Sequence, residues 1–322
     1  MPRLPLGTMP RLPRSRVSAT VPVAYFAHCR ADLVARTLAA LRANGVTLIY
    51  AFADGARSPE GQNDVDDVRR ILRSVDWADL HLVERPVNVG IDAGIVAGIS
   101  ETLGAHQEVV VCEDDIEMSP GTYEYFVAAL ERYRDEPRVM CISGWTHPRV
   151  TPAGARAAPY FTGRFPCWGW ATWRRAWAGF PGMSAVELRD RCLAAGIDIG
   201  KYGEDVPAIF AGDAAKATWD YCFSLHMMLH GGLSLLPPHT LTAHIGYDAR
   251  ATHPQDDEGW EDHPESPSPP DQVHWPAVRE EPDSAECWRR ALNAPPRPSV
   301  GARIRRRLAR LIATRAGREP RA

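Results

Sequence analysis

Short apolar runs alternate with stretches of helical periodicity over the first half of the chain. The runs are rich in β-branched and aromatic residues and end at polar or glycine positions, which is typical of buried strands. They occupy residues 21–27, 46–53, 80–84, 109–112 and 138–143. Between them, apolar residues recur at helical spacing in 33–41, 65–72, 91–103 and 123–133. Strands that alternate with helices predict an α/β fold with a doubly wound, mostly parallel sheet.

The pattern becomes irregular after Gly144. Residues 160–180 are rich in aromatic and glycine positions, residues 217–230 have helical periodicity, and residues 233–236 predict a short strand. We therefore divide the chain into four consecutive parts. They are a disordered basic arm at 1–20, an α/β domain at 21–253, an acidic, proline-rich loop or wrapping segment at 254–298, and a basic amphipathic tail at 299–322.

Charge is distributed unevenly along the chain. The formal net charge of the 322 residues is −3, but residues 299–322 contain eight arginines and one glutamate, and residues 1–20 contain four arginines and no acidic residue. The body between them is acidic, which argues against a nucleic-acid partner. The tail has an apolar face flanked by arginines, and this pattern predicts peripheral binding to an anionic membrane surface. Docking of the tail on the acidic body is the alternative.

Cellular location follows from what the chain contains. No run approaches the roughly 20 apolar residues of a membrane span, and the N-terminus lacks the apolar stretch of a secretory signal. The seven cysteines include no CxxC pair, which favours reduced thiols. We expect a cytoplasmic protein, for which the basic tail predicts peripheral binding at the inner face of the membrane.

Carboxylates follow two of the predicted strands. Asp54 follows the second, and Glu113, Asp114 and Asp115 follow the fourth. In doubly wound sheets, ligands bind beyond the carboxyl ends of the strands. Three adjacent carboxylates repel one another, and a Mn²⁺ or Mg²⁺ ion bridged to substrate phosphates would neutralise them. From the residues alone, a solvated acidic turn or a helix N-cap remains the alternative.

Three segments carry a resemblance to a known family. The stretch VVVCEDDIEMSPGTYEYFVAALERYRDEPRVMCISGW at 109–145 resembles the central segment of N-acetylglucosaminyltransferase I and its relatives, in which a strand ends in an EDD cluster. FPCWGWATWRRAW at 165–177 is similar to the FPGLGW stretch of that family and to CWGWATW segments of bacterial glycosyltransferases. WDYCFSLHMM at 219–228 resembles its WDDWMR stretch. The resemblance spans about 21–255, and it implies a GT-A fold and a metal-dependent, inverting glycosyltransferase.

The resemblance also implies roles for the residues at the strand ends. Asp115 would be the metal ligand, with Mn²⁺ or Mg²⁺ as the cofactor. Glu113 and Asp114 would face the ribose and the sugar of the nucleotide-sugar donor. Asp54 and Arg30 would contact the base. The alternatives are a turn residue at Asp54 and a surface charge at a helix start for Arg30.

Two further positions resemble features of GT-A enzymes. Asn88 and Gly90 resemble an Asn-x-Gly stretch that precedes the donor-binding helix, although a turn with a closely packed glycine is an equal alternative. His253 resembles the late histidine that completes the metal site in several of these enzymes, with a surface histidine as the alternative. We expect a structural role for His244.

An inverting transferase needs a carboxylate that accepts the proton of the acceptor hydroxyl. Asp220 lies in the Trp-Asp pair that matches the family, so the resemblance makes it the candidate base. The alternative is an N-cap of the following helix. Glu204 and Asp205 are rival carboxylates, and this chain has Tyr221 where the family has a second aspartate.

Tryptophans crowd the segment at 165–177. Most of them are expected in the core. Gly169, between Trp168 and Trp170, would let the backbone approach a sugar, and an aromatic face suits the apolar side of a pyranose. Trp168, Gly169 and Trp170 are therefore candidate contacts to the sugar or to the acceptor, which we expect to be a glycan or a lipid-linked sugar.

Two other functions compete with sugar transfer. A sugar-phosphate nucleotidyltransferase uses a similar sheet but needs a glycine-rich loop after its first strand, where this chain reads AHCRAD. A non-catalytic sugar-binding protein on the same fold is disfavoured by the complete acidic cluster.

Overall fold

A computed structural model describes residues 20–213, 217–247, 250, 260, 269 and 273–293. Its centre is a sheet of eight strands in the order β3-β2-β1-β4-β8-β6-β9-β7, and β5 pairs separately with β10. The strands are β1 (Val23–Ala27), β2 (Leu48–Ala53), β3 (Asp79–Glu84), β4 (Glu108–Glu113), β5 (Ile116–Met118), β6 (Val139–Ser143), β7 (Tyr160–Thr162), β8 (Trp170–Trp173), β9 (Leu233–Leu236) and β10 (Thr242–His244).

Helices follow most of these strands in the described part of the chain. They are α1 (Ala31–Ala43), α2 (Gln62–Arg73), α3 (Ile91–Ala105), α4 (Thr122–Arg132), α5 (Arg174–Trp177), α6 (Ala185–Ala194), α7 (Asp205–Ala211), α8 (Trp219–Leu229) and α9 (Ser284–Leu292). Strands β3, β2, β1 and β4 are mutually parallel, as are β6 and β9, whereas β8 and β7 run antiparallel to their neighbours. The predicted α/β class with a mostly parallel sheet is confirmed.

Helices cover both faces of the sheet because the strand pleat sends successive side chains to opposite sides. On β1, Tyr25 packs in the hydrophobic cluster that contains Val34 of α1 and Phe126 of α4. The next residue, Phe26, packs in the second cluster, which contains Ile99 of α3 and Phe223 of α8. This two-sided burial explains why the β1 sequence is uniformly apolar.

The irregular part of the sequence contains structure that its pattern does not predict. Strand β8 inserts antiparallel between β4 and β6, and helix α9 lies within the segment predicted to be a loop or wrapping segment. Part of that segment packs on the domain, because Glu280 forms a bridge with Phe161 of β7 and its carboxylate accepts a 2.7 Å hydrogen bond from the Tyr202 hydroxyl. The predicted tail at 299–322 and residues 1–19 lie outside the described residues.

Two expectations about the chain as a whole can be compared with the structure. All seven cysteines are free thiols, in agreement with the absence of disulfides expected from their spacing. Within the described ranges, we find no helix whose length and apolar character would let it cross a membrane.

Candidate functional site

The carboxyl ends of β1, β2 and β4 meet at one cavity. Strand pairing brings them together, since Ala27 lies opposite Ala53, and Phe26 lies opposite Glu113. The residues just beyond these ends line the cavity with the loop that precedes α3. The lining includes His28, Arg30, Asp54, Arg57, Arg85, Asn88, Gly90, Glu113 and Asp114. The predicted donor-binding residues therefore converge, as expected for the switch point of a doubly wound sheet.

Asp114 and Asp115 share one guanidinium. Arg30, which precedes α1, places Nη2 2.5 Å from Oδ1 of Asp114 and 2.8 Å from Oδ2 of Asp115. The backbone N–H of His28 also donates to Asp114. Burial raises the pKa of Asp114 to about 6, although Arg30 acts in the opposite direction. Arg30 thus forms ion pairs with the acidic cluster itself. The predicted role of Arg30, contact with the nucleotide base, did not include these ion pairs.

Glu113 lines the cavity beside these two aspartates. Burial raises the pKa of its carboxyl group well above the usual range, and the charges of Asp115, Asp114 and Asp220 raise it further. Asp220, in the first turn of a helix more than a hundred residues further along the chain, is therefore near enough for its charge to act on the Glu113 carboxyl group.

The pairing of β5 with β10 brings a second segment onto Asp115. His244 Nε2 lies 3.5 Å from Asp115 Oδ2, and the N–H of Ile245 donates to the Asp115 carbonyl oxygen at 2.8 Å. A Cβ atom at Gly246 would lie 2.3 Å from Asp115 Oδ2. His244, predicted to be structural, is therefore part of this site, and only a glycine at 246 leaves room for the carboxylate.

A divalent cation fits this site only if phosphate oxygens complete its coordination. Carboxylate oxygens are the ligands that Mg²⁺ and Mn²⁺ prefer, and one or two of them suffice when a substrate phosphate is shared. Asp115 offers such a carboxylate, and it contacts Arg30, which lines the cavity. Among the described residues, no group of three histidine, cysteine or acidic side chains is arranged to hold a metal. His253, the other predicted ligand, lies outside the described residues.

Asp54 and Asn88 join the residues that follow β2 to the loop that precedes α3. The Asp54 carboxylate accepts hydrogen bonds from the backbone N–H groups of Gly55, Val89 and Gly90. Asn88 Nδ2 donates to the Gly55 carbonyl oxygen at 2.9 Å. Gly90 has a φ of 83°, which a glycine adopts without strain, and α3 starts directly after it.

Asp220 lies in the first turn of α8, while Thr218 occupies the N-cap position. The Thr218 hydroxyl donates to Asp220 Oδ1 at 2.5 Å. Burial raises the pKa of Asp220, against the influence of this hydrogen bond and of the charge on Arg164. The start of α8 is fixed to α3 because the Trp219 N–H donates to Asp92 Oδ1 at 2.8 Å. The N-cap alternative for Asp220 does not apply, since Thr218 holds that position.

The rival carboxylates have other surroundings. Asp205 pairs with Arg164 through contacts of 3.2 and 2.5 Å, so its charge is already matched. Glu204 is exposed at the N-terminus of α7. Of the three carboxylates, Asp220 is the one that interacts electrostatically with Glu113.

The residues of the tryptophan segment differ in exposure: Trp170 is buried in the core, and Trp168 is partly exposed. Trp170 is 0% exposed within β8, so its ring cannot contact a sugar, and the prediction for this residue is corrected. Gly169 has a φ of 76°, and a Cβ atom there would lie 2.8 Å from Thr242 Cγ2, so it serves close packing. Trp168 is partly exposed, and its ring centroid lies 6.2 Å from that of His244. Trp168 therefore lies beside the acidic site.

The reasoning from sequence missed three functional positions. His28, His244 and Gly246 received no role at the site, although all three touch its charged groups. A signal existed for His28, which directly follows the first strand. Nothing in the local pattern links His244 and Gly246 to Asp115, because that contact depends on the pairing of β5 with β10.

Comparison with known proteins supports the resemblance. The profile of the GNT-I family matches residues 103–186. The mannosyltransferase PcManGT from Pyrobaculum calidifontis, solved in complex with GDP-Man and Mn²⁺, superposes with a TM-score of 0.44 at 16% identity, over 72% of this chain and 58% of that one. A putative glucose-1-phosphate thymidylyltransferase from Bacillus anthracis, in complex with a sucrose, gives a TM-score of 0.32 at 10% identity, over 51% of this chain and 76% of that one.

The chain thus spans 58% of the length of the mannosyltransferase that it matches. The segment matched by the family profile contains the acidic cluster and the CWGW stretch, two of the three segments that carry the predicted resemblance, whereas WDYCFSLHMM at 219–228 lies outside it. The predicted resemblance is confirmed over this segment, in which the chain resembles the GNT-I family.

Proposed function

We propose that the chain transfers a sugar from a nucleotide-diphosphate donor to a hydroxyl group of a glycan or lipid-linked acceptor, with inversion at the anomeric carbon and with a divalent metal ion. The observation that carries this proposal is the position of two sets of carboxylates. Glu113 and Asp114 line the cavity at the carboxyl ends of β1, β2 and β4, and the charge of Asp220, at the start of α8, acts on Glu113. A transferase needs these two functions, donor binding and proton acceptance, on opposite sides of the reacting carbon.

The donor would lie along the carboxyl ends of β1, β2 and β4. Its diphosphate would approach Asp115 together with the metal ion, and its sugar would face Glu113. A bound Mn²⁺ or Mg²⁺ ion would stabilise the negative charge of the leaving nucleoside diphosphate. The arginines that line the cavity, Arg57 and Arg85, add positive charge on the donor side.

Asp220 would act as the base. The acceptor oxygen attacks the anomeric carbon, the bond from that carbon to the diphosphate oxygen breaks, and the hydroxyl proton passes to the Asp220 carboxylate. Thr218 holds that carboxylate at 2.5 Å through its hydroxyl and fixes its orientation. Burial raises the pKa of Asp220, which makes the carboxylate a stronger base than an exposed aspartate.

The acceptor would approach beside Trp168, whose partly exposed ring adjoins His244. Peripheral membrane binding through the basic tail would bring the enzyme to a lipid-linked acceptor. The measurement is co-sedimentation with anionic and neutral vesicles, in which the full chain is compared with a variant that ends at residue 298. Equal binding of the two proteins would remove the tail from the proposal.

The alternative functions have less support. A sugar-phosphate nucleotidyltransferase would need a triphosphate-binding glycine loop after β1, and the residues there, His28 to Ala31, include no glycine. A purely sugar-binding protein would not need a buried carboxylate opposite the acidic cluster.

A donor-hydrolysis and transfer screen across UDP-, GDP- and dTDP-sugars, with and without Mn²⁺, tests the proposed function. Asp115→Ala should abolish turnover while leaving the thermal transition near that of the wild-type protein. Asp76→Ala, which removes an exposed carboxylate far from the cavity, is the matched control. Full activity of Asp115→Ala, or of the wild-type enzyme in excess EDTA, would exclude a metal-dependent mechanism.

A further inference from the structure

The Asp54 carboxylate accepts hydrogen bonds from three backbone N–H groups, two of which belong to one loop. Oδ1 lies 3.0 Å from the nitrogen of Gly55 and 3.1 Å from that of Val89. Oδ2 lies 3.2 Å from the nitrogens of both Val89 and Gly90. Two of the three donors belong to the stretch that leads into α3, about 35 residues further along the chain. Asp54 therefore links the end of β2 to the loop that precedes α3.

These contacts engage both oxygens of the side chain. Three backbone N–H groups donate to it, and that of Val89 is shared between Oδ1 and Oδ2. A nucleotide base that needed a carboxylate acceptor would compete with these N–H groups. The Gly90 N–H is partly buried, so the loss of its partner would be costly.

The same loop is held from two other directions. A Cβ atom at Gly55 would lie 2.3 Å from the carbonyl carbon of Val87, so the two backbones are in direct contact. Asn88 Nδ2 donates to the Gly55 carbonyl oxygen and lies 3.3 Å from His28 Nε2. The ends of β1 and β2 and the start of α3 are therefore joined around Asp54.

The position of this loop determines the shape of the donor cavity. Asn88, Gly90 and Ile91 form part of its wall, opposite Arg30 and Asp114. A movement of the loop would change the width of the cavity for any nucleotide, whatever its base.

We propose that Asp54 is a positioning residue that holds the loop at 88–90 as the wall of the donor cavity, and that it does not select the nucleotide base. This differs from the base contact that the resemblance implies for Asp54. The part of the inference that concerns donors rests on the proposed function, whereas the part that concerns the loop does not.

Hydrogen–deuterium exchange of the ligand-free protein tests the loop directly. In Asp54→Asn one oxygen is replaced by an N–H donor that faces the loop amides. The peptide that contains Val89 and Gly90 should therefore exchange at least about fivefold faster than in the wild-type protein, as expected for the loss of one or more hydrogen bonds. Asp54→Ser, which keeps one short acceptor, should give an intermediate rate. Asp76→Asn, at an exposed position, is the matched control and should leave the rate unchanged.

Steady-state kinetics with UDP-, GDP- and dTDP-sugars test the second half of the inference. A positioning role predicts that Asp54→Asn raises KM by the same factor for every donor the enzyme accepts, with kcat nearly unchanged. A general loss of stability would instead lower the apparent kcat at constant KM. An increase confined to donors with one base, or an unchanged exchange rate, would overturn the inference. If the wild-type protein turns over no donor, the proposed function fails, and the exchange experiment still decides whether Asp54 holds the loop.

Discussion

Replacement of Arg30 by methionine should destabilise the protein and make its stability depend on a divalent cation. The Arg30 side chain is 15% exposed and pairs with the side chains of Asp114 and Asp115, which are 6% and 14% exposed. Removal of one partner from a buried ion pair costs about 3–5 kcal/mol, because a charge is left without compensation. The pair keeps some access to water, so we expect a loss of about 3 kcal/mol. At about 2–4 °C per kcal/mol, the midpoint of thermal unfolding should fall by roughly 6–12 °C.

A metal ion should restore much of this loss if Asp115 is its ligand. Binding to the folded state alone adds about 2.7 kcal/mol at a concentration a hundredfold above Kd. In the wild-type protein the ion must first displace the guanidinium from Asp115, so the increase in Tm with Mn²⁺ should be smaller than in Arg30→Met. Thermal unfolding of both proteins, with and without MnCl₂ and without nucleotide, measures the difference.

Arg36→Met is the matched control for this experiment. Arg36 of α1 pairs with Glu117 of β5, but the Arg36 side chain is 56% exposed. Exposed pairs of this kind contribute about 0–1 kcal/mol. Equal midpoints for the two variants would refute the argument that the Arg30 pair is strongly stabilising. Absence of any additional Mn²⁺ effect in Arg30→Met would refute competition between the guanidinium and the metal.

The pH dependence gives an independent check. The pKa of Asp114 is raised to about 6 in the folded protein, above its value in the unfolded chain. A raised pKa favours the folded state at low pH, and that contribution is lost as the pH rises through the folded pKa. Without Arg30, the pKa of Asp114 should rise further. The stability difference between the wild-type protein and Arg30→Met should therefore be smaller at pH 5 than at pH 8.

Three further changes test other parts of the site and the fold. Asp220→Asn should lower kcat by about 10²–10⁴-fold with little change in donor affinity. In the wild-type enzyme, the acid limb of the pH profile of kcat should lie above the usual aspartate range, because burial raises the pKa of Asp220. Gly246→Ala should weaken Mn²⁺-dependent donor binding in calorimetry, because the new Cβ would meet Asp115 at 2.3 Å, whereas Gly182→Ala, with nothing within 4 Å, should not. Burial lowers the pKa of His226 to about 4, so protonation of this one histidine should remove about 2–3 kcal/mol of stability as the pH falls from 6.5 to 4. In denaturant titrations, the difference in stability between the wild-type protein and His226→Phe should change by about that amount over this pH range.

The parts of the fold that were predicted from sequence are those with local signals. The predicted strand at 109–112 and the predicted helix at 123–133 agree with β4 and α4 to within one residue at each end. Their apolar positions repeat at the spacing of a strand or a helix, and polar or glycine residues end each run. The acidic residues could be assigned to a site because a strand end in a parallel sheet has a known position relative to ligands.

The parts that were not predicted depend on contacts between distant residues. Strand β5 meets β10 across more than a hundred residues, and only that pairing brings His244 to Asp115. The WGW stretch is equally consistent with core and surface, and the insertion of β8 between two strands buries Trp170. The hydrogen bonds of Asp54 come from backbone N–H groups, and the pattern of side chains along the sequence does not predict such contacts.

The balance of charge in the cavity is the strongest physical reason to expect a cation with the donor. Asp114 and Asp115 share the single guanidinium of Arg30, while burial and neighbouring carboxylates raise the pKa of Glu113. A nucleoside diphosphate adds negative charge to the same space. Arg30 cannot neutralise both the aspartates and the diphosphate, and two opposed sets of anions in a partly buried cavity repel one another strongly. A divalent ion between Asp115 and the diphosphate would remove this repulsion and would release the Arg30 guanidinium to face the phosphate oxygens.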